Sequence, residues 1–115
     1  MEIVVLDVSP QIKRVTLAGK LDILGAEQIA LPLATAAGAR TNIVIDMTRV
    51  DFIASIGIRH LVMAAKAVSR NAGRLVLLDP TPMVTEVLIV SGLQGLLPIV
   101  RSEEEAMVAI GLSRP

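Results

Sequence analysis

The chain has 115 residues, enough for one domain with a real core and too few for two. Its eleven basic and eleven acidic residues cancel, and a single phenylalanine is its whole aromatic content. Nucleic acid is therefore not an expected partner, since neither a basic footprint nor stacking rings are available. Hydrophobic residues make up 53% of the chain, which excludes a disordered polymer and leaves apolar side chains over for a partner or for self-association. Cysteine is absent, so no disulfide framework or thiolate chemistry is expected, in keeping with a reducing cytosol.

Taken in order, Ile3 to Val8 and Ile12 to Ala18 are two β-rich runs around a Ser9-Pro10-Gln11 turn, a predicted hairpin. Gly19-Lys20-Leu21-Asp22 reads as a loop. Ala26, Ile29, Ala30, Leu33 and Ala37 then follow at helical spacing up to Gly38, with Pro32 expected to kink or loosen one turn. The apolar run Ile43 to Met47 predicts a third strand, and Thr48 to Ala54 a polar turn. A second helix is expected from Ser55 to about Ala72, stopped by Gly73, because Ile58, Leu61, Val62, Ala65 and Val68 recur along one face. Ser55 is its predicted N-cap. Gly57 stands out inside that helix, where glycine costs roughly 1 kcal/mol relative to alanine, so the backbone is expected to be bare there for a reason.

Arg74 to Leu78 predicts a fourth strand. Thr81-Pro82 opens a third helix that ends at Ser91 and Gly92. Leu96 to Val100 reads as a short edge strand, and Ser102 caps a last helix whose first turn holds Glu103, Glu104 and Glu105. The apolar tract Met83 to Val100 is interrupted by Glu86, Gly92, Gly95 and Pro98, so membrane insertion is not expected. The N-terminus lacks the basic region of a signal peptide. Right-handed crossovers should make strands two, three and four parallel, so the loops after them open on one rim that carries Asp22, Ser55 and Thr81.

Catalytic chemistry finds no constellation. The sequence around Ser55 lacks a G-x-S-x-G elbow. His60, the single histidine, lies five residues on and about 140° round the helix, out of easy reach of the Ser55 hydroxyl. No glycine-and-lysine phosphate loop precedes the helix, no acidic pair accompanies Asp46 as a phosphate acceptor would require, and nothing clusters as metal ligands. No enzyme, cofactor or metal is expected. The expectation is an interaction module, with Thr81 serving only as a helix cap.

V-T-L-A-G-K-L-D, then D-F-I-A-S-I-G-I near the middle, then T-E-V-L-I-V-S-G-L after the fourth strand resemble a STAS domain. More narrowly they resemble the single-domain bacterial anti-sigma factor antagonists, over about Ile3 to Leu112. The resemblance implies an α/β STAS fold over residues 1–115, a single mixed sheet of four to five strands with about four helices. It also implies a cytoplasmic, non-enzymatic regulator of transcription. In that family an anti-sigma factor that is also a serine kinase of the GHKL ATPase type phosphorylates the antagonist. A serine phosphatase resets it, and the unmodified form frees the sigma factor. Carried over by position, Ser55 is the acceptor and Asp22 falls on the aspartate of the family's loop after the second strand; Ile56, Gly57 and Arg59, beside the acceptor, are expected to bind the partner with Asp22. Ala54 and Ile56 stand where the family commonly has aspartate and a second hydroxyl, which makes the surroundings of the acceptor more apolar. The alternative role within the same family is an adaptor subunit of a bacterial phospholipid-transport ATPase complex.

Overall fold

A computed structural model describes residues 1–111; Leu112, at the end of the stretch that carries the resemblance, lies outside the described residues. The elements run β1 (Glu2–Ser9), β2 (Ile12–Leu21), α1 (Ile23–Ala37), β3 (Asn42–Ile53), α2 (Ser55–Arg70), β4 (Leu75–Leu78), α3 (Pro82–Val90), β5 (Ile99–Val100) and α4 (Glu103–Ala109). They form one five-stranded sheet in sequence order, β1 to β5. β1 and β2 are an antiparallel hairpin, and β2 through β5 are parallel, so the sheet is mixed as expected.

Alternation along the strands divides the core in two. Val15, Leu17, Ile43, Ile45, Met47, Leu75 and Leu77 face one way and meet Ile29, Leu33, Leu61, Val68, Val84 and Leu88 from α1, α2 and α3. On the other face Val44, Val76, Leu78 and Val100 are covered by Ala106 of the short α4 and by Ile110 just after it. Ion pairs hold α4 there. The Arg14 guanidinium donates to Asp46 at 3.0 Å and also to Glu103 in the first turn of α4. Burial pushes the Asp46 carboxyl up, but bonds from the Thr48 N–H and hydroxyl and from Arg14 outweigh it and hold the carboxyl below its ordinary value. Asp46 is thus fully engaged in joining β3, β2 and α4.

Two expectations change. The Gly19-to-Asp22 loop and the Thr48-to-Ala54 turn are mostly strand, because β2 runs to Leu21 and β3 to Ile53. The pairing offset between them grows by one residue between Thr16 and Ala18 and again between Gly19 and Lys20. Each step places an additional β3 residue in the ladder as a bulge. Met47, Val50 and Ile53 are consequently buried at three-residue spacing. Gly19 sits at φ +114° in the same stretch, a backbone conformation that disfavours side chains.

The helices end largely as read. α1 continues through Pro32, Thr81 accepts from the Val84 N–H to cap α3, and Ser102 caps α4. After α2 the left-handed residue is Ala72, at φ +63°, and not Gly73. Gly73 is needed for space, since a Cβ there would lie 2.9 Å from the Thr41 carbonyl oxygen. β5 is limited to two residues, shorter than the Leu96–Val100 expected.

Candidate functional site

β2 and β3 end side by side. The Ala54 N–H donates to the Leu21 carbonyl at 2.9 Å, which ties the two strand ends together just before each chain turns into a helix. Asp22 makes the first turn by itself. Its carboxylate accepts from the Gly25 N–H at 2.8 Å, while its carbonyl accepts from the Ala26 N–H. Gly25 is forced by this tightness, as a Cβ would fall 2.2 Å from the Lys20 carbonyl oxygen. Asp22→Ala removes a capping carboxylate and is expected to cost about 1 kcal/mol in chemical denaturation, whereas Asp22→Asn, also a good cap, should cost little.

The second turn differs. Ala54, not Ser55, occupies the N-cap position of α2, and it offers no capping side chain. Ser55 is the first helical residue instead, exposed to solvent. Among the described residues α2 is the one helix whose N-terminus receives no side-chain bond, since Asp22, Thr81 and Ser102 cap the other three. The first-turn N–H groups of α2 thus stand open beside the Ser55 hydroxyl, together with the positive end of a 16-residue helix dipole.

Gly57 has an internal explanation. It is buried, and a Cβ at this position would come within 2.5 Å of Leu21 Cγ and 2.8 Å of the Leu21 carbonyl oxygen. Its missing side chain lets α2 lie directly on the end of β2. The bare backbone expected at Gly57 thus has a reason inside the domain itself. Arg59 is exposed one turn beyond Ser55 on the same side of the helix, and Ile56 is half-buried. His60 lines a groove between α1 and α2 with Leu33, Met63 and Lys66.

Asp22 and Ser55 therefore share a rim, as the crossover rule requires. Thr81 is set back from it. β4 pairs with β3 only up to Asp46, seven residues short of Ile53, and the Thr81 hydroxyl lies 3.4 Å from the Val50 carbonyl oxygen. Thr81 faces a separate groove with Thr48, Thr85 and Arg101, whose guanidinium is already bonded to Asp79, to the Pro80 carbonyl and to Thr85.

Two rim residues had no sequence signal pointing to function. Ile23 and Leu24, the first residues of α1, are 71% and 62% exposed, and with Asp22, Glu27 and Ala54 they line a shallow depression of about 480 Å³. Ile23, three residues before Ala26, continues the Ala26–Ile29–Leu33 period and gives no local sign of its exposure, whereas Leu24 falls outside that period. The rim as a whole is an exposed serine on an open helix end, bordered by bare aliphatic side chains. Among the described residues no group of three histidine, cysteine or carboxylate side chains is placed to hold a metal ion, and no helix is long and apolar enough to cross a membrane.

Residues 4–106 match the STAS domain family. "Putative anti-sigma factor antagonist BtrV" from Bordetella bronchiseptica is 33% identical over 100 residues, covering 86% of each chain. Among solved structures, the Bacillus cell fate determinant SpoIIAA in its phosphorylated form is 30% identical, with a TM-score of 0.71 over 93% of this chain and 97% of that one. The anti-sigma factor antagonist SpoIIAA in its unphosphorylated form gives the same TM-score, at 26% identity over 93% and 94% of the two chains. An anti-sigma factor antagonist from Mycobacterium paratuberculosis shares the fold more closely, with a TM-score of 0.84 over 95% and 92% of the chains, at 18% identity.

Proposed function

This chain belongs to the STAS domain family, and we propose that it acts as an anti-sigma factor antagonist switched by phosphorylation of Ser55. The observation that carries this reading is the open N-terminus of α2, with Ser55 exposed upon it and no competing cap. The unmodified rim binds a partner through Ile23, Leu24, Ile56 and Arg59, with Asp22 at its border. Gly57 serves this surface indirectly by seating α2 on Leu21. The partner is an anti-sigma factor that is also a serine kinase, and a serine phosphatase restores the binding form. The protein itself performs no chemistry and works in the cytoplasm.

The physics of the switch follows from the site. A phosphoserine carries close to two negative charges and three acceptor oxygens. The free N–H groups and dipole of α2 receive that charge without refolding the domain. The similar TM-scores to both forms of SpoIIAA support a modification that leaves the fold in place. The partner bears the cost: a dianion enclosed against Ile23, Leu24 and Ile56 without a matching cation is strongly unfavourable. Phosphorylation expels the partner.

Affinity purification of the tagged protein, with mass spectrometry of its companions and of Ser55, tests the reading. Recovery of a serine kinase of the GHKL ATPase type, with phosphate on Ser55 in part of the sample, is expected. Recovery of a transport ATPase and its permease, with Ser55 unmodified, would replace this reading with the adaptor role in phospholipid transport.

A further inference from the structure

We propose that this protein forms a symmetric dimer in which β1 of one copy pairs antiparallel with β1 of a second, joining the two sheets. The two edges of the sheet are unequal. β5 exposes two residues of backbone, whereas β1 exposes eight. Long open edges are normally blunted by proline, lysine or a covering element. The run Glu2–Ser9 contains neither proline nor lysine, and its pairing with β2 stays regular as far as Asp7.

The side chains around this edge are apolar on both faces of the sheet. Val4 and Leu6 pair with Thr16 and Arg14 on the α4 side, beyond the reach of the cluster that α4 covers. On the opposite side Val5 borders a groove of about 380 Å³ with Leu31, Pro32 and Ala36 of α1. Leu6 is 56% exposed and Leu31 76%. Val4, Val5, Leu6, Val8 and Leu31 are five of the thirteen large apolar side chains left exposed among the described residues, so the uncovered surface concentrates at this edge.

An extended strand is the element that can pair in register along an open backbone edge, and the sequence of β1 suits a copy of itself. With Val5 on the two-fold axis, Val4 lies opposite the Leu6 of the second copy and Glu2 lies opposite its Val8. Residues opposite one another in an antiparallel ladder point to the same face. Glu2 and Asp7 belong to opposite faces, so no two-fold register sets these two acids against each other. The zero net charge adds no long-range repulsion between copies. Ser55 follows β3, two strands in from this edge, so both rims stay open and the proposal stands independently of the partner reading.

Sedimentation equilibrium of the full chain from micromolar to millimolar concentration tests the dimer. The native protein is expected at twice the monomer mass, and Leu6→Lys at the monomer mass with an unchanged circular dichroism spectrum. The chain has no cysteine, so Val5→Cys introduces a single thiol. Across the axis its Cα lies about 4.5–5.5 Å from its symmetry mate, within disulfide reach. Mild oxidation should link Val5→Cys into dimers much faster than Met63→Cys, an exposed control on α2. A native protein that stays monomeric overturns the proposal. So does a dimer that survives Leu6→Lys, or one that Val5→Cys links no faster than the control.

Discussion

Replacing Gly57 by valine is expected to lower the thermal midpoint by roughly 10 °C. The added Cβ would meet Leu21 at 2.5 Å from Cγ and 2.8 Å from the carbonyl oxygen, and the second contact is backbone that cannot swing aside. Leu21 is itself fully buried and is held by the bond from the Ala54 N–H. Overpacking of this kind costs typically 1–3 kcal/mol, and valine gains little helix propensity over glycine to offset it. Gly57→Ala separates the terms: alanine gains about 1 kcal/mol of helix propensity, so a loss of stability there reports the clash alone. Gly95→Ala is the control, since nothing lies within 4 Å of the site of its added Cβ. A Gly57→Ala protein more stable than the native one by the full propensity gain of about 1 kcal/mol would mean that α2 does not sit this closely on β2.

The second large effect concerns binding. Ser55→Ala is expected to bind the partner as tightly as the unmodified protein and to be blind to the kinase. Ser55→Asp should weaken binding roughly 10- to 100-fold, equivalent to about 1.4–2.7 kcal/mol. One carboxylate brings less charge and less reach than a phosphate, so the loss should be smaller than for the modified protein. Stability should move the other way. An aspartate in the first turn of α2 interacts favourably with the helix dipole, by about 0.3–1 kcal/mol at an exposed site. A variant that is more stable and binds less tightly separates a surface switch from local unfolding. Native-like binding by both variants would make Ser55 a structural residue and the protein a constitutive adaptor.

Most of the architecture was legible because helical periods and capping residues are local signals. Ala26, Ile29 and Leu33 placed α1, Thr81-Pro82 placed α3, and Ser102 placed α4. The second half of β3 was not legible. Its two bulges convert alternation into a three-residue spacing at Met47, Val50 and Ile53, which matches neither a strand nor a helix period. Gly19 disguised the end of β2 in the same way, since a glycine followed by Lys20 reads as a turn when nothing shows the strand beside it. Ser55 was placed one position early because serine is the favoured cap, while the residue in that position, Ala54, is a poor one. That substitution is what leaves the helix end open. The reason for Gly57 lies in Leu21, thirty-six residues away in sequence, and no local pattern could reveal it.

The most direct test of the switch is the affinity of the co-purified anti-sigma kinase for two preparations of this protein, unmodified and phosphorylated at Ser55, by isothermal titration calorimetry. The account predicts that the unmodified form binds at least 100-fold more tightly, equivalent to about 2.7 kcal/mol, while the phosphorylated form alone unfolds at the same temperature as the unmodified one or somewhat above it. Equal affinities would contradict it.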